Sequence, residues 1–506
     1  MDRIIQNSNL SMNILLIDPT VGTGDGLNTG LGWLASSVDK AGHGVRVLDL
    51  VNRPYLPIEE AVMLIRETII RLNPDIIGFC IHSITLSVTK EMVGAIRTFF
   101  KGYVVIGGPQ MAFECKNIFD KISEIDFAVV GEAEDTLPEL LNLLDKKEED
   151  FRNIDGLIWQ DNGIIIENKA RVPRIDLDTL PSPDYKKHFG LQSIKVHYPL
   201  MTSRGCPYSC SFCNSNMSGK RWRKRSLGNV IGELKDAIAR YDIKEFMVQE
   251  PVFNLEPERV MDFCNLLIRE SINLPWFIPS GVRADRLTSE TIEAMKNAGC
   301  TELKIGVETL VPEVFPSVNK GTTLGTIISA CKMVKKSSFP LRGSFIIGLP
   351  GDNYANSLKN YKLSRKLGFK TTDWSLLIPY PGTKIYEWVM KNGKMFYDYC
   401  SADQGSFQVT SPRDVKLSFE TSDFPGEDRI KAFVTISVKS GNYIFDRTQK
   451  SYAIMISLLK QILRYDPLNF FWHIKNIYNR LKLREKRGAS KSERYVFSPL
   501  SPFWQP

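Results

Sequence analysis

Three cysteines stand close together in the stretch MTSRGCPYSCSFCN: Cys206, Cys210 and Cys213, spaced C-x3-C-x2-C after a strand-like run, VHYPLMTS. Thiolates are soft metal ligands, and several at short spacing point to a metal centre. Three leave a tetrahedral structural zinc site one ligand short. No His or Cys lies between Cys213 and Cys264 to complete it. Three thiolates do suffice for three irons of a cubane four-iron four-sulfur cluster, and the fourth iron then stays open to a ligand. The spacing favours that cluster over zinc or incidental cysteines. The other six, Cys80, Cys115, Cys264, Cys300, Cys331 and Cys400, are scattered through apolar or helical contexts and read as small buried hydrophobes. Nine cysteines without a secretory signal exclude a disulfide scaffold, and a cluster with one open iron, being oxygen-sensitive, predicts an anaerobic, reducing cytoplasmic setting.

A second set of residues lies in the first third. Near-continuous apolar runs at 13–19, 45–50, 76–82, 104–108 and 127–132 read as strands covered on both faces. Helical patterns separate them, including LGWLASSVDKAG and PIEEAVMLIRETIIRL. Such alternation predicts a doubly wound parallel sheet, whose ligands sit beyond the C-terminal strand ends. Those ends carry Asp18, Thr20, Gly22, Gly24 and Gly26; His82, Ser83 and Thr85; Gly107, Gly108, Pro109 and Gln110; and Gly131 and Glu132. Glycine lets backbone amides approach a ligand. The alternative is ordinary tight turns; four such ends on one edge favour a cleft. No G-x-G-x-x-G dinucleotide fingerprint is present.

The 506 residues imply more than one domain. With 43% hydrophobic and 24% charged residues the composition is that of a globular protein, and no apolar run is long enough for a membrane span. The domains read as 1–145, a Rossmann-like unit; 146–195, a linker with a hairpin turning at Asn162-Gly163; 196–400, a partial barrel; and 401–506, a helical C-terminal region. From Lys460 to Arg494 ten Lys and Arg face three Asp and Glu, so most of the net +8 lies in the tail. The nearly neutral remainder argues against nucleic acid as a partner.

After the cysteine loop five further strand–helix units follow, with strands at 245–250, 275–283, 302–308, 343–350 and 373–379, giving a (β/α)6 half barrel with the first. Barrel enzymes work at the strands' C-terminal face. There stand Gln249, Glu250, Arg283, Glu308 and Gly348, each of which is alternatively an ordinary capping residue.

MTSRGCPYSCSFCN, with IPSGVRADRL, LKIGVETL, NKGTT and FIIGLPG, resembles the radical S-adenosylmethionine (SAM) superfamily. The sheet in front, with LGWLASSVDKAGHGVRVLDL, VVIGGPQ and GEAEDTLPELL, resembles the cobalamin-binding domain of its cobalamin-dependent class. The resemblance spans about residues 12–390. It implies a [4Fe-4S] cluster on Cys206, Cys210 and Cys213, with SAM chelating the open iron. Phe212 would pack against the adenine, Gln249 and Glu250 would lie near the SAM amino group, Arg283 would reach its carboxylate or ribose, and Glu308 would contact it from the next strand. This chain has Val-Gln-Glu-Pro where the family often has paired acids. Cobalamin would lie on the Gly-rich edge. With no D-x-H-x-x-G motif, no protein His is expected to replace its base, and His43, in the turn AGHG, reads as a surface residue.

The reaction implied is one-electron cleavage of SAM to a 5′-deoxyadenosyl radical, hydrogen abstraction from an unactivated carbon, and methylation through cobalamin. The alternative is an oxidative cyclisation or rearrangement without net methylation. A non-catalytic sensor and a tRNA-modifying enzyme are weaker, since neither an output module nor an RNA-binding barrel is evident. The substrate is a small molecule or lipid, and a flavodoxin- or ferredoxin-type donor would supply electrons.

KRWRKR at 220–225 reads as a solvated charged face, or as a contact for an anionic substrate or SAM. Near the C-terminus Phe470, Phe471, Ile474, Ile477, Tyr478 and Leu481 recur at helical spacing beside Lys475, Arg480, Lys482, Arg484, Lys486 and Arg487. Either this stripe packs on the barrel, or it lies on an anionic membrane surface, as a lipid substrate like that of hopanoid-modifying relatives would suit.

Overall fold

The computed structural model describes residues 12–20, 27–50, 56–189, 197–213, 219–396, 417–441 and 451–486. Gly22, Gly24, Gly26, Cys400, Arg487 and the extreme C-terminus therefore lie outside the described residues.

Five apolar runs form parallel strands: β1 (Asn13–Asp18), β2 (Gly44–Asp49), β3 (Ile76–Cys80), β4 (Tyr103–Gly107) and β5 (Phe127–Val129). The sheet order is β2-β1-β3-β4-β5. Alternate residues of β1 feed opposite faces. Ile14 and Leu16 pack with the helices Thr29–Lys40 and Ala133–Asp145, and Leu15 and Ile17 with Ile58–Leu72 and Leu86–Arg97. The hairpin β6 (Leu157–Asp161) and β7 (Ile164–Glu167), expected within a linker, instead extends this sheet antiparallel to β5. Its inward face supplies Leu157 and Trp159, so the same core claims it.

The second half contains β8 (Tyr198–Leu200), then a two-residue pair β9 (Ser203–Arg204) and β10 (Arg223–Lys224), then β11 (Phe246–Val248), β12 (Trp276–Phe277), β13 (Leu303–Glu308), β14 (Leu341–Ile347) and β15 (Thr371–Leu376). Sheets β8-β11-β12 and β13-β14-β15 are parallel and are joined by bridges Trp276↔Cys300 and Val282↔Ile305. Six strands in chain order thus make the half barrel. The 275–283 strand is cut to two residues, because Pro279 carries no N–H to continue a ladder. Helices between the strands cover the outside, and Phe246, Phe263 and Trp276 fill the space between them as a buried aromatic group.

At the C-terminus the helix Gly426–Lys439 packs on β15, followed by helices Ser451–Tyr465 and Phe470–Lys486. The expected apolar stripe is split. Ile477 is buried and Phe470 packs against Leu458 and Ile462, while Phe471, Ile474 and Tyr478 are exposed. His473 takes part in the inward face through Asp466, 3.0 Å away, which also pairs with Lys439. No helix among the described residues is long and apolar enough to cross a membrane.

Candidate active site

The cysteine loop begins where β9 ends. Residues of β9 and β10 pair antiparallel (Arg204↔Arg223), and the Cys206 amide donates to Gly219 O at 3.0 Å, so the loop is closed at its base. Gly205 is required there: φ is +87°, and a Cβ would lie 2.2 Å from Arg221 O. The far side of the loop is braced by residues 317–319. Ser211 N donates to Val318 O (2.9 Å), Ser211 Oγ to Ser317 O (2.5 Å) and Asn319 Nδ2 to Ser209 O (2.9 Å). Phe212, expected against an adenine, is instead sunk into an apolar cluster with Val311, Val318, Ile346 and Phe419. Its ring anchors the loop to the barrel by burial.

The three thiols are close enough to act on one another electrostatically. Burial pushes Cys213 up to about 12, and Cys210 and Cys206 add to it. Burial also raises Cys210, with Lys320 opposing. Among the described residues no group of three His, Cys, Asp or Glu is drawn tight enough to hold a single metal ion. A cubane, which takes each thiolate on a separate iron, suits mutually close thiols held on one rigid loop.

Around this loop the barrel strand ends supply charge. Glu308 closes β13 with φ +63° at a register shift, an unusual backbone for a non-glycine residue, and pairs with Lys320 at 2.6 Å. Such strain at a strand end re-aims a side chain toward a site. Arg283 is held by Asn254, Asp285 and Lys320 O, and its guanidinium lies 3.3 Å from the Tyr208 ring centre. Sequence reasoning missed Lys320, Tyr208 and Asn254. Lys320 was the most accessible of these, since it sits in NKGTT beside a quoted motif. Gly348 donates its N–H to Asp352 at 2.8 Å and lies directly against Arg429 of the helix Gly426–Lys439.

Two of the expected SAM contacts are otherwise engaged. Glu250 is buried, and its two oxygens accept from Thr202 N, Thr202 Oγ1, Ser203 N and Ser203 Oγ at 2.7–3.1 Å. Burial pushes its carboxyl up to about 7 against those bonds. It positions the strand end before the cysteines, with no lone pair left over for a ligand's amino group. Gln249 Oε1 accepts from Thr29 Oγ1 at 2.8 Å, and Thr29 belongs to the N-terminal domain.

That bond brings the Gly-rich sheet edge against the barrel mouth. On the edge, Asp18 accepts from Thr20 N (2.9 Å) and Asn28 Nδ2 (2.7 Å). Ser83 Oγ donates to Gln110, and Gln110 in turn donates to Glu114, so both polar side chains are turned inward. Thr85 is fully buried and caps its own turn through His82. Gly108 has φ +103° and would bring a Cβ within 2.7 Å of Ile81 N and O, so only glycine lets β3 and β4 close here. Gly107 ends β4 and Pro109 continues the turn. Gly131 faces open space. An edge of bare backbone facing a second ligand edge fits a large flat cofactor. His82, beside Asp18, has its imidazole held below the usual range by burial.

Glu132 is not turned to a ligand. Arg223 binds it bidentately at 2.9 and 2.6 Å, and Arg204 approaches at 3.4 Å. Burial opposes its ionisation, yet the two guanidiniums outweigh that and hold the carboxyl below its ordinary value. The KRWRKR segment is therefore a solvated face only in part: Lys220, Arg221 and Lys224 are exposed. Arg223 and Arg225 are buried, and Lys224 pairs with Glu256 at 2.7 Å. His43 is also corrected: it is fully buried, with Nε2 3.2 Å from Asn142 Oδ1.

Comparison with known proteins agrees with this architecture. The Radical SAM superfamily profile matches residues 200–363 and the B12 binding domain profile residues 20–141. An uncharacterized methyltransferase of Pyrococcus horikoshii is 31% identical over 402 residues, covering 75% of this chain and 84% of that protein. The anaerobic magnesium-protoporphyrin IX monomethyl ester cyclase of Rubrivivax gelatinosus is 24% identical over 338 residues, 64% of this chain and 60% of that one. The structure of the radical SAM methyltransferase TsrM from Kitasatospora setae, with cobalamin and a [4Fe-4S] cluster bound, superposes with TM-score 0.71 at 15% identity, covering 95% of this chain and all of that one.

Proposed function

Because the chain belongs to the radical SAM enzymes that carry an N-terminal B12-binding domain, we propose that it is a C-methyltransferase acting on an unactivated carbon of a small molecule or lipid. Cys206, Cys210 and Cys213 would hold the cluster, which would supply the electron for SAM cleavage, and cobalamin on the Gly-rich edge would supply the methyl relay. The chain's own residues position and shield these. Ser317, Val318 and Asn319 fix the loop, and Lys320 places a positive charge beside the thiols. Arg283, Glu308 and Lys320 line the face where SAM would lie. A flavodoxin- or ferredoxin-type donor delivers the electron.

The observation that carries this reading is the Thr29–Gln249 bond, which joins the loop side of the first helix to a barrel strand end and supports the two ligand edges lying toward one another. A substrate held between the two edges is within reach of both cofactors. Anaerobic incubation of protein loaded with hydroxocobalamin, SAM, a reductant and candidate substrates should give S-adenosylhomocysteine together with 5′-deoxyadenosine. 5′-Deoxyadenosine alone, with substrate oxidised, would support the second reading, an oxidative cyclase, which the Rubrivivax relative favours. Formation of neither product would overturn both.

A lipid substrate gains support from the last helices. Leu468, Phe471 and Tyr478 are 96%, 87% and 61% exposed beside a run of basic residues. Apolar side chains of this kind bury into a lipid interface, and Lys475, exposed on the same helix, would meet an anionic headgroup. The full chain should sediment with phosphatidylserine-containing liposomes at low salt, and a chain ending at Thr448 should not. Equal sedimentation of the two would remove the membrane contact.

A further inference from the structure

Arg223, within the charged segment 220–225, and Arg204, its partner across the β9–β10 ladder, both meet the turn after β5. Arg204 Nη2 lies 2.6 Å from Glu134 Oε1, and Arg223 clamps Glu132 with both terminal nitrogens. Arg223 Nη1 also donates to Arg174 O at 2.8 Å, so the chain between the two domains is gathered into the same knot. Beneath it Trp33, on the first helix of the N-terminal domain, is buried under the guanidiniums of Arg204 (5.7 Å) and Arg225 (4.8 Å). Side-chain exposures of 12% for Arg204, 3% for Arg223 and 9% for Glu134 put these charges largely out of water, and Glu132 is the most exposed of the four at 26%. Bidentate guanidinium–carboxylate pairs in such surroundings are strong and geometrically strict.

The two ends of this network are placed at the two cofactor sites. Arg204 precedes Cys206 by two residues, and Arg204 and Arg223 are paired residues of the β9–β10 ladder that closes the cysteine loop. Glu132 and Glu134 follow Gly131, which stands at the C-terminal end of β5 with open space at its Cβ position. They stand at the N-terminus of the helix Ala133–Asp145, where its dipole favours their charge. Any shift of one edge relative to the other must break these bonds or carry the loop with it.

We propose that Glu132, Glu134, Arg204 and Arg223 form a clamp that fixes the cysteine loop at one distance from the cobalamin edge, and that they are positioning residues for the step that needs both cofactors. This rests on the reading given under Proposed function. The four side chains are spent on one another, so their loss should leave each site filled while loosening the separation of the two. Each half has a large core, while Leu27 joins the barrel's and Trp33 packs with Met201 across the boundary, so the halves should stay folded and joined when the clamp is lost.

The test uses the full chain with reconstituted cluster and added hydroxocobalamin. Cluster and cobalt are both brought to paramagnetic states, and the dipolar coupling between them is read by pulsed electron paramagnetic resonance. The parent protein should show one narrow distance. The double variant Glu132→Gln, Glu134→Gln should keep its iron and cobalamin per chain but show a broad distribution reaching to longer distances. The same narrow distance in the double variant would overturn the proposal. So would loss of cobalamin with iron retained, since Glu132 would then be holding the cofactor itself. If the double variant does not fold, Arg223→Lys decides: it keeps the charge and loses the two-pronged grip, so an intermediate breadth is expected and an unchanged distance overturns the clamp. A parent protein that takes up no cobalamin would overturn the underlying function, and it would do so before any substitution is made.

Discussion

Replacing Cys206, Cys210 and Cys213 together by Ala should reduce bound iron to background and abolish formation of 5′-deoxyadenosine from SAM. The loop that carries them is held from outside itself, by the Gly219 carbonyl at its base and by Ser317, Val318 and Asn319 on its far side. Phe212 is seated among Val311, Val318, Ile346 and Phe419, and Cys210 and Cys213 pack on the rim of that cluster. Replacing them by Ala trims the rim and leaves these braces in place, so the triple variant should still unfold cooperatively. The loss is expected to be complete because three thiolates are the minimum for a cubane with one open iron. Single replacements should be nearly as severe, since two thiolates leave two irons without protein ligands. Iron content unchanged in the folded triple variant would assign the metal elsewhere. Retained iron without SAM cleavage would separate binding of a cluster from its exposure to SAM.

The parts of the fold that could be read from sequence are those fixed by neighbours in the chain. Five apolar runs gave five strands because each is covered on both faces, and C-x3-C-x2-C marked the cysteine loop because its chemistry is local. What could not be read depends on partners far along the chain. Arg223 is charged and looks solvated until Glu132, 91 residues away, is placed against it. Glu250 stands where a ligand contact belongs, and only the return of residues 202–203 shows that its oxygens are taken. His43 sits in a turn between helix and strand, and Asn142 of a different helix covers it. The tail stripe was correctly apolar and helical, but which residues of it face inward is set by Leu458 and Ile462 of the preceding helix. Buried polar groups need specific partners, and period alone does not name them.

The second large effect is expected at Arg225. Its side chain and that of Glu233 are fully buried, with Arg225 Nη1 2.6 Å from Glu233 Oε2 as an ion-pair contact outside hydrogen-bond geometry. Glu233 Oε1 accepts instead from Tyr198 OH at 2.9 Å. Arg225 also donates to Met201 O at 2.7 Å, just before the strand end that leads to the cysteines, and stacks on Trp33. Changing Arg225 to Met keeps apolar volume but strands a buried carboxylate, which costs on the order of 3–5 kcal/mol. The pH dependence separates the causes. Burial already holds the Glu233 carboxyl above its ordinary range against the pull of Arg225, and removing the guanidinium raises it further. A carboxyl whose pKa is higher folded than unfolded contributes its stability below the unfolded value and loses it as the pH climbs through the folded one. The deficit of Arg225→Met, read as a shift in the denaturant midpoint, should therefore be largest near pH 8 and shrink toward pH 5. Adding Glu233→Gln should recover much of the deficit at pH 8 and little at pH 5, because the stranded charge is then absent at both. An equal deficit at the two pH values, unmoved by Glu233→Gln, would mean that the lost bond to Met201 and the lost stacking on Trp33 set the cost, and that the ion pair is incidental to stability.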